Sequence, residues 1–283
     1  MISRFTYLKP HNLNEAVQIL DKEEKSFVLA GGTDLMILLR RNLINAEHIV
    51  DIKAIPETAA FEYVDGAGLT IGASVVVNQV VDSEVVRSKY PALNQAAATL
   101  ASYQLRNRAT VVGNICNASP GADLPPALLV YDAVVNIAGP QGTRQAKLNE
   151  FFTGVKRTVL QRGELVVSVQ LPEPGAGDKS IYLRQARLRG HDLATVGVAS
   201  RIKPDGKVAI GICAVAPTPL RLFALEDMIN ERGLSQESVE WAAEEIKQHI
   251  HPITDVRSSA LYRLQMASVL LKRGLLNLIA KEE

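Results

Sequence analysis

Residues 172–178, Pro-Glu-Pro-Gly-Ala-Gly-Asp, break the chain between two patterns that belong to different architectures. Proline and glycine at this density end both strands and helices, so the stretch reads as a domain boundary. Beyond it, strand-like stretches near 180–187, 194–203 and 207–215 come first, and helical patterns near 221–231, 235–249 and 258–281 follow. "KPDGK" is a hairpin turn between the second and third strands. Strands first and helices after predict a separate α+β unit with one face of its sheet covered. The last helix is apolar at Leu261, Leu264, Leu271, Leu275 and Leu278, a stripe expected to pack inward, and Trp241 is read as core.

Before the break, short strands alternate with helices. "LNEAVQIL" is apolar at Leu13, Ala16, Val17 and Leu20, with Asn12 or Asn14 as cap. A strand at Phe27–Ala30, a glycine turn, a helix from about Asp34 to Arg41 and a strand in "HIVDIK" give the order α–β–turn–α–β. "AAFEYVDGAGLTIGAS" is a hairpin turning at Asp65-Gly66 and Gly68. Helical material runs to about Ser102, interrupted near Tyr90-Pro91. "TVVGNICNASPGAD" reads as a loop leading into a short helix carrying "ALLVYDA". A strand near Val134–Ala138, an exposed segment "GTRQAKLNEFF" and a strand in "GELVVSVQL" complete this half.

Composition narrows the function. Among 283 residues, 31 basic and 30 acidic side chains leave a net charge of +1, which gives no electrostatic reason to expect nucleic acid or an anionic membrane. No apolar run approaches the ~20 residues of a bilayer span, and "MISRFTYLKPHN" lacks the apolar core of a secretory signal, so a cytoplasmic protein is expected. The 2 cysteines, Cys116 and Cys213, cannot hold an iron–sulfur cluster or a four-cysteine zinc site. The five scattered histidines form no ligand cluster, and no metal site is expected. Dinucleotide, Walker, HExxH and GxSxG motifs are absent.

Two polar, glycine-bearing segments remain: "AGGTD" at Ala30–Asp34 and "TVVGNICNASPGAD" at Thr110–Asp123. Each offers main-chain amides, small hydroxyls or an Asn before a helix, with no lysine inside. That chemistry suits an anion held by N–H groups and helix dipoles. Two such segments converging can take a diphosphate from both sides. Each can equally be an ordinary turn, and Asp123 either a helix cap or an acceptor for a ribose hydroxyl.

In this order and at this distance, the segments resemble the FAD-binding subunit of the molybdenum-containing hydroxylases, a family that includes bacterial xanthine dehydrogenases and the medium subunit of aerobic carbon monoxide dehydrogenases. The likeness spans the chain, from "FTYLKPHNLNEAVQIL" through "LAGGTDLMILLR", "VDIKAI" and "QLRNRATVVGNICNASPGADLPPALLVYDA" to "DVRSSALYRLQMASVLL". "CNASPGAD" leans toward the xanthine dehydrogenase branch. The resemblance implies an α+β fold: a two-subdomain FAD-binding domain of the vanillyl-alcohol-oxidase/CO-dehydrogenase flavoprotein type over 1–175, with subdomains of about 1–53 and 54–175. A smaller α+β domain with an antiparallel sheet and helices follows over 178–283.

It also implies FAD contacts residue by residue. The first segment supplies Val28, Leu29, Ala30, Gly31, Gly32, Thr33, Asp34 and Leu35. The second supplies Thr110, Val111, Val112, Gly113 and Asn114, with Asp123 on the adenosine and phosphate side. Val166 and Arg184 match contacts near the flavin, and Leu100 a position that can be aromatic against the ring. Val112 departs from the usual Gly-Gly-Asn, and Arg184 stands where many relatives have Lys. No catalytic acid or base is implied. The expected role is a relay between [2Fe–2S] clusters on a small partner subunit and an acceptor, NAD+ first among those weighed, with molybdopterin on a large subunit. Two other readings stand beside it: a self-sufficient reductase resembling UDP-N-acetylenolpyruvoylglucosamine reductase, and an assembly protein without FAD. His191 and Asp192 read as turn or surface residues. Arg106 and Arg108 read either as phosphate partners or as an interface patch.

Overall fold

The computed structural model describes residues 3–188 and 191–280. Arg189 and Gly190 of "RLRGHDLA" and the end of the last expected helix at 281 lie outside them.

The chain opens with β1 (Thr6–Leu8), α1 (Leu13–Lys22), β2 (Ser26–Leu29), α2 (Leu35–Arg40) and β3 (His48–Asp51). The strands form a parallel sheet in the order β1-β3-β2. Asn12 is the α1 cap, its side chain accepting the Glu15 amide at 2.9 Å, and Ala16, Val17 and Leu20 are the buried face. Strand β1 carried no sequence signal. Thr6 and Tyr7 are exposed, and three edge residues are too few to show a period.

A five-stranded antiparallel sheet follows, in the order β4-β5-β10-β6-β7. The expected hairpin is β4 (Phe61–Val64) and β5 (Gly68–Gly72). Helices α3 (Val77–Asp82), α4 (Glu84–Lys89), α5 (Pro91–Thr99), α6 (Tyr103–Arg106), α7 (Val111–Cys116) and α8 (Leu124–Val130) come between β5 and the next strand, and α7 packs on β5 and β10. The strands β6 (Val134–Gly139) and β7 (Gly142–Lys147), the helix α9 (Leu148–Phe151), the small pair β8 (Phe152–Gly154) and β9 (Arg157–Thr158), and β10 (Leu165–Leu171) complete this part. Two segments differ from expectation. Residues 142–147, expected as an exposed segment, form the edge strand β7 in register with β6; its charged, outward-facing residues are the composition by which sheet edges avoid further pairing. The segment after Thr110 is helix α7 rather than loop. Gly113 and Asn114 lower helix propensity, but Val111, Val112 and Ile115 are buried and hold the turn in place.

The remainder is a second antiparallel sheet, β11 (Lys179–Gln185), β12 (Val196–Ile202), β13 (Val208–Cys213) and β14 (Leu220–Arg221) in sequential order, followed by α10 (Phe223–Arg232), α11 (Gln236–Glu245) and α12 (Ala260–Ile279). One covered face was expected, yet every residue of β12 and β13 is buried. Helix α12 packs on one side, and α8, buried at all seven positions, packs on the other. A side chain at Gly211 would stand 2.3 Å from the Pro126 carbonyl oxygen, so only glycine lets α8 lie this close to β13. The junction is bolted by two arginines that cap the end of α8. Arg201 donates to the Val130 carbonyl at 2.9 Å and pairs with Asp178 at 2.6 Å. Arg221 donates to the Leu129 carbonyl at 2.6 Å and pairs with Glu226. Of the C-terminal leucines, Leu271, Leu275 and Leu278 are core and Leu264 is half-buried against it, but Leu261 is 68% exposed in the first turn of α12. Trp241 packs partly buried against that core, with the Arg232 guanidinium 4.0 Å from its ring centre.

Candidate functional site

The two glycine-bearing segments meet. A Cβ on Gly31 would lie 1.9 Å from the Arg108 carbonyl oxygen and 3.1 Å from Cα of Ala109, the residue before Thr110. Backbone therefore touches backbone at the one position that has no side chain. Gly32 then adopts φ +76°, a left-handed turn that β-carbons resist. It swings the chain into α2 so that the amides of Gly32, Thr33, Asp34 and Leu35 donate to no group of the described chain. On the other segment, Thr110 is extended and caps α7, its hydroxyl accepting the Gly113 amide at 2.9 Å. The amides of Val111 and Val112 at the start of α7 likewise have no acceptor. Val112 has helical backbone, so its branched side chain does not oppose this geometry.

Between the segments lies a cleft of about 640 Å³. Its lining includes every residue expected from the sequence except Leu29, Val111 and Arg184. Leu29 turns into the small core of the first sheet. The Val111 side chain is fully buried in the main core. Arg184 lines a neighbouring depression with Gln185 and Arg187, and it touches the cleft wall by donating to Asp123 at 3.0 Å. Leu100, 8% exposed at the end of α5, is held by Arg106, whose guanidinium takes the Ala98 and Leu100 carbonyls, each at 3.0 Å. Arg106 is thus a brace inside the fold, and Arg108 contributes its carbonyl to the Gly31 contact. Val166 sits beside a bulge in β10 opposite β6, an irregularity of the kind that re-aims side chains at functional sites.

Other wall residues carried no sequence signal, among them Leu105, Lys156, Leu160 and Glu164. Lys156, Leu160 and Glu164 fall within nine residues of one another but far along the chain from both glycine-bearing segments, and no local spacing joins them to Gly31. His191 and Asp192 also line the cleft. Asp192 organises its turn, taking the amides of Leu188 at 3.2 Å and Leu193 at 3.0 Å and pairing with Arg187; its carboxyl is held down to about 2, chiefly by that arginine.

Charge on the wall is arranged from behind. Asp123 starts α8 without capping it; its oxygens instead accept from Tyr182 at 2.7 Å and Arg184 at 3.0 Å. Burial pushes its carboxyl up, and Arg184 and Tyr182 pull against that. Glu164 is gripped by Arg144 through two bonds, 2.6 and 2.7 Å, and sits below the usual carboxylate range. Burial raises the Cys116 thiol to about 12, so it stays neutral. Asn114 Oδ1 is a buried acceptor with no partner in the chain. Among the described residues, no helix is long and apolar enough to cross a membrane and no group of His, Cys, Asp and Glu gathers as for a metal ion.

A parallel three-stranded lobe facing an antiparallel sheet across a cleft of open amides, with a further sheet-and-helix domain bolted behind, defines an α+β flavoprotein fold. Residues 3–174 match the model of the FAD binding domain in molybdopterin dehydrogenase, and residues 181–278 match that of the CO dehydrogenase flavoprotein C-terminal domain. The chain belongs to this family of FAD-binding oxidoreductase subunits. The carbon monoxide dehydrogenase medium chain of Hydrogenophaga pseudoflava is 32% identical over 277 residues, 96% of each chain. The xanthine dehydrogenase FAD-binding subunit of Escherichia coli O157:H7 is 29% identical over 282 residues, 97% of this chain and 96% of the relative. The solved carbon monoxide dehydrogenase from H. pseudoflava that lacks the Mo-pyranopterin moiety superposes with a TM-score of 0.93, covering 99% of both chains at 32% identity. The cleft fits the family's cofactor: donors without acceptors face it, Gly31 leaves room at the closest approach, and Asn114 Oδ1 awaits a donor.

Proposed function

We propose that this chain is the flavin relay subunit of a molybdenum hydroxylase, taking electrons from the [2Fe–2S] clusters of a small partner subunit, which a large molybdopterin subunit supplies, and passing them to NAD+. The observation that carries this reading is the cleft of open amides created where Gly31 meets the Arg108–Ala109 backbone. FAD, when bound, supplies the exchange between one-electron input and two-electron output.

The chain's residues bind and orient it. The amides of Gly32 to Leu35 and of Val112 take the diphosphate, as helix starts and turns do for anions. Thr110 fixes the second segment by capping α7, and Gly113 and Asn114 line its approach. Val28, Ala30, Leu100 and Val166 offer apolar wall for the ring system. Leu29 and Val111 act from the cores beneath, as supports. Asp123 accepts from a hydroxyl of the dinucleotide, and Arg184 acts through Asp123. Domains over 1–175, with parts of about 1–53 and 54–175, and over 178–283, and a cytoplasmic location, belong to the same reading. Relatives named for both carbon monoxide and xanthine oxidation match at similar identity, which supports the class of complex without selecting a substrate.

The full chain, purified and examined by absorbance, is expected to carry one FAD per chain, and NADH added without oxygen is expected to bleach it. A chain that takes up no FAD ends the cleft assignment. A bound flavin that stays oxidised under NADH removes NAD+ as acceptor.

A further inference from the structure

We propose that Lys156 supplies the counter-charge for the diphosphate of the flavin dinucleotide, a role that rests on the flavin reading above. The acids on the cleft wall are not treated alike. Asp123 has Arg184 at 3.0 Å, Glu164 has Arg144 at 2.6 Å and Asp192 has Arg187 at 3.0 Å. Among the described residues, the Asp34 side chain in the first segment accepts only from the Asn117 amide, at 3.0 Å. Asn117 in turn accepts from Lys156 Nζ at 2.7 Å. Among the described residues that line the cleft, Lys156 is the sole Lys or Arg.

A diphosphate seated on the amides of Gly32 to Leu35 brings negative charge beside the Asp34 carboxylate. Helix starts and amides offer only partial charges, about half a unit per helix, so a full cation is needed to offset both. Lys156 is the one positioned to give it, one amide away from Asp34. Its backbone points the same way. Lys156 turns the β8–β9 hairpin at φ +58°, where Gly or Asn meets less steric resistance. Its N–H donates at 3.0 Å to the carbonyl of Ala118, which is itself left-handed at φ +44°. Two such residues, bonded to one another, pin the lysine to the wall formed by the second segment. Asn114 Oδ1, buried and unpartnered in that same segment, marks the wall as built for something beyond the chain.

The test uses the full chain stripped of flavin and titrated with FAD by fluorescence, with thermal melting of the flavin-free protein as a control for folding. Lys156→Met is expected to weaken FAD binding about tenfold, the worth of a hydrogen bond to a charged group. Lys156→Arg should stay within about twofold. Adding Asp34→Asn to Lys156→Met should recover most of the loss, because the uncompensated acid is then gone. Raising ionic strength from about 0.05 to about 0.5 M should weaken binding more in the wild type and in Lys156→Arg than in Lys156→Met. Lys156→Met matching the wild type in affinity would overturn the assignment. So would a loss in Lys156→Met with an unchanged salt response and no recovery on Asp34→Asn, since the lysine would then only brace its turn. A wild type that takes up no FAD fails the site reading itself, which is a different result.

Discussion

Strand β2, which leads into Gly31, has four half-buried residues, whereas β12 and β13 are buried along their whole length. One face of the first sheet rests on a small core of Leu39, Ala46 and Ile49 with half-buried neighbours such as Phe27 and Met36, and the other joins the main core through Val17, Leu20 and Val50. The second segment enters the main core through the buried Val111, Val112 and Ile115, whereas the first touches it only through the half-buried Val28 and Ala30. One half of the clasp is stiff and the other lightly held. A dinucleotide seated across both would stabilise the lighter half by mass action, so the first sheet borrows order from the ligand.

The contrast can be broken from either side. Gly31→Val should have the largest effect. Its side chain would occupy the 1.9 Å approach to Arg108 and push the light lobe away, so the absorbance ratio of flavin to protein should fall nearly to zero while the C-terminal core keeps its near-ultraviolet dichroism. Arg221→Ala attacks the stiff side. It leaves Glu226 buried without a cation and takes one donor from the Leu129 carbonyl, a loss of about 3–5 kcal/mol to be read from urea unfolding. Removing FAD from the intact chain should speed amide exchange by about tenfold or more through 26–40 and leave 208–213 unchanged, as expected when only the low-stability unit is opened. Uniform protection in both states would show that the lobe needs no ligand.

The smallest effect lies on the strand side of the main sheet. Glu173 accepts from Tyr63 and Lys89 and from the Gly66 amide, and these hold its carboxyl down to about 2 from an ordinary 4.5. A depressed folded value means that the contribution is complete above about 4.5 and fades as the pH falls toward 2. The gap in melting temperature between the wild type and Glu173→Gln should therefore be widest near neutrality and close in acid. A gap independent of pH would place the effect in packing instead.

Much of this was legible in the residues. Asn12, the Gly-Gly turn and the break between strands at 172–178 carry local chemistry, and the local chemistry fixed their conformations. What stayed hidden depends on distant partners. Strand β1 is defined only by pairing with β3. Helix α7 was masked by Gly113 and Asn114, whose low propensity is overridden by the burial of their neighbours. The second covered face of the C-terminal sheet required knowing that α8 inserts there. In the cleft, Lys156 and Glu164 are brought by the β8–β9 hairpin and the start of β10, which no spacing connects to Gly31.

Helix α8 also bears on how the molecule can be cut and recombined. It serves as an inner wall for both halves, so a fragment beginning after residue 178 would present bare apolar strands to water. A protease nick in 172–178 should leave the two pieces clinging together, and a hybrid joining halves of two relatives would hold only where one partner's helix fills the hollow left by the other.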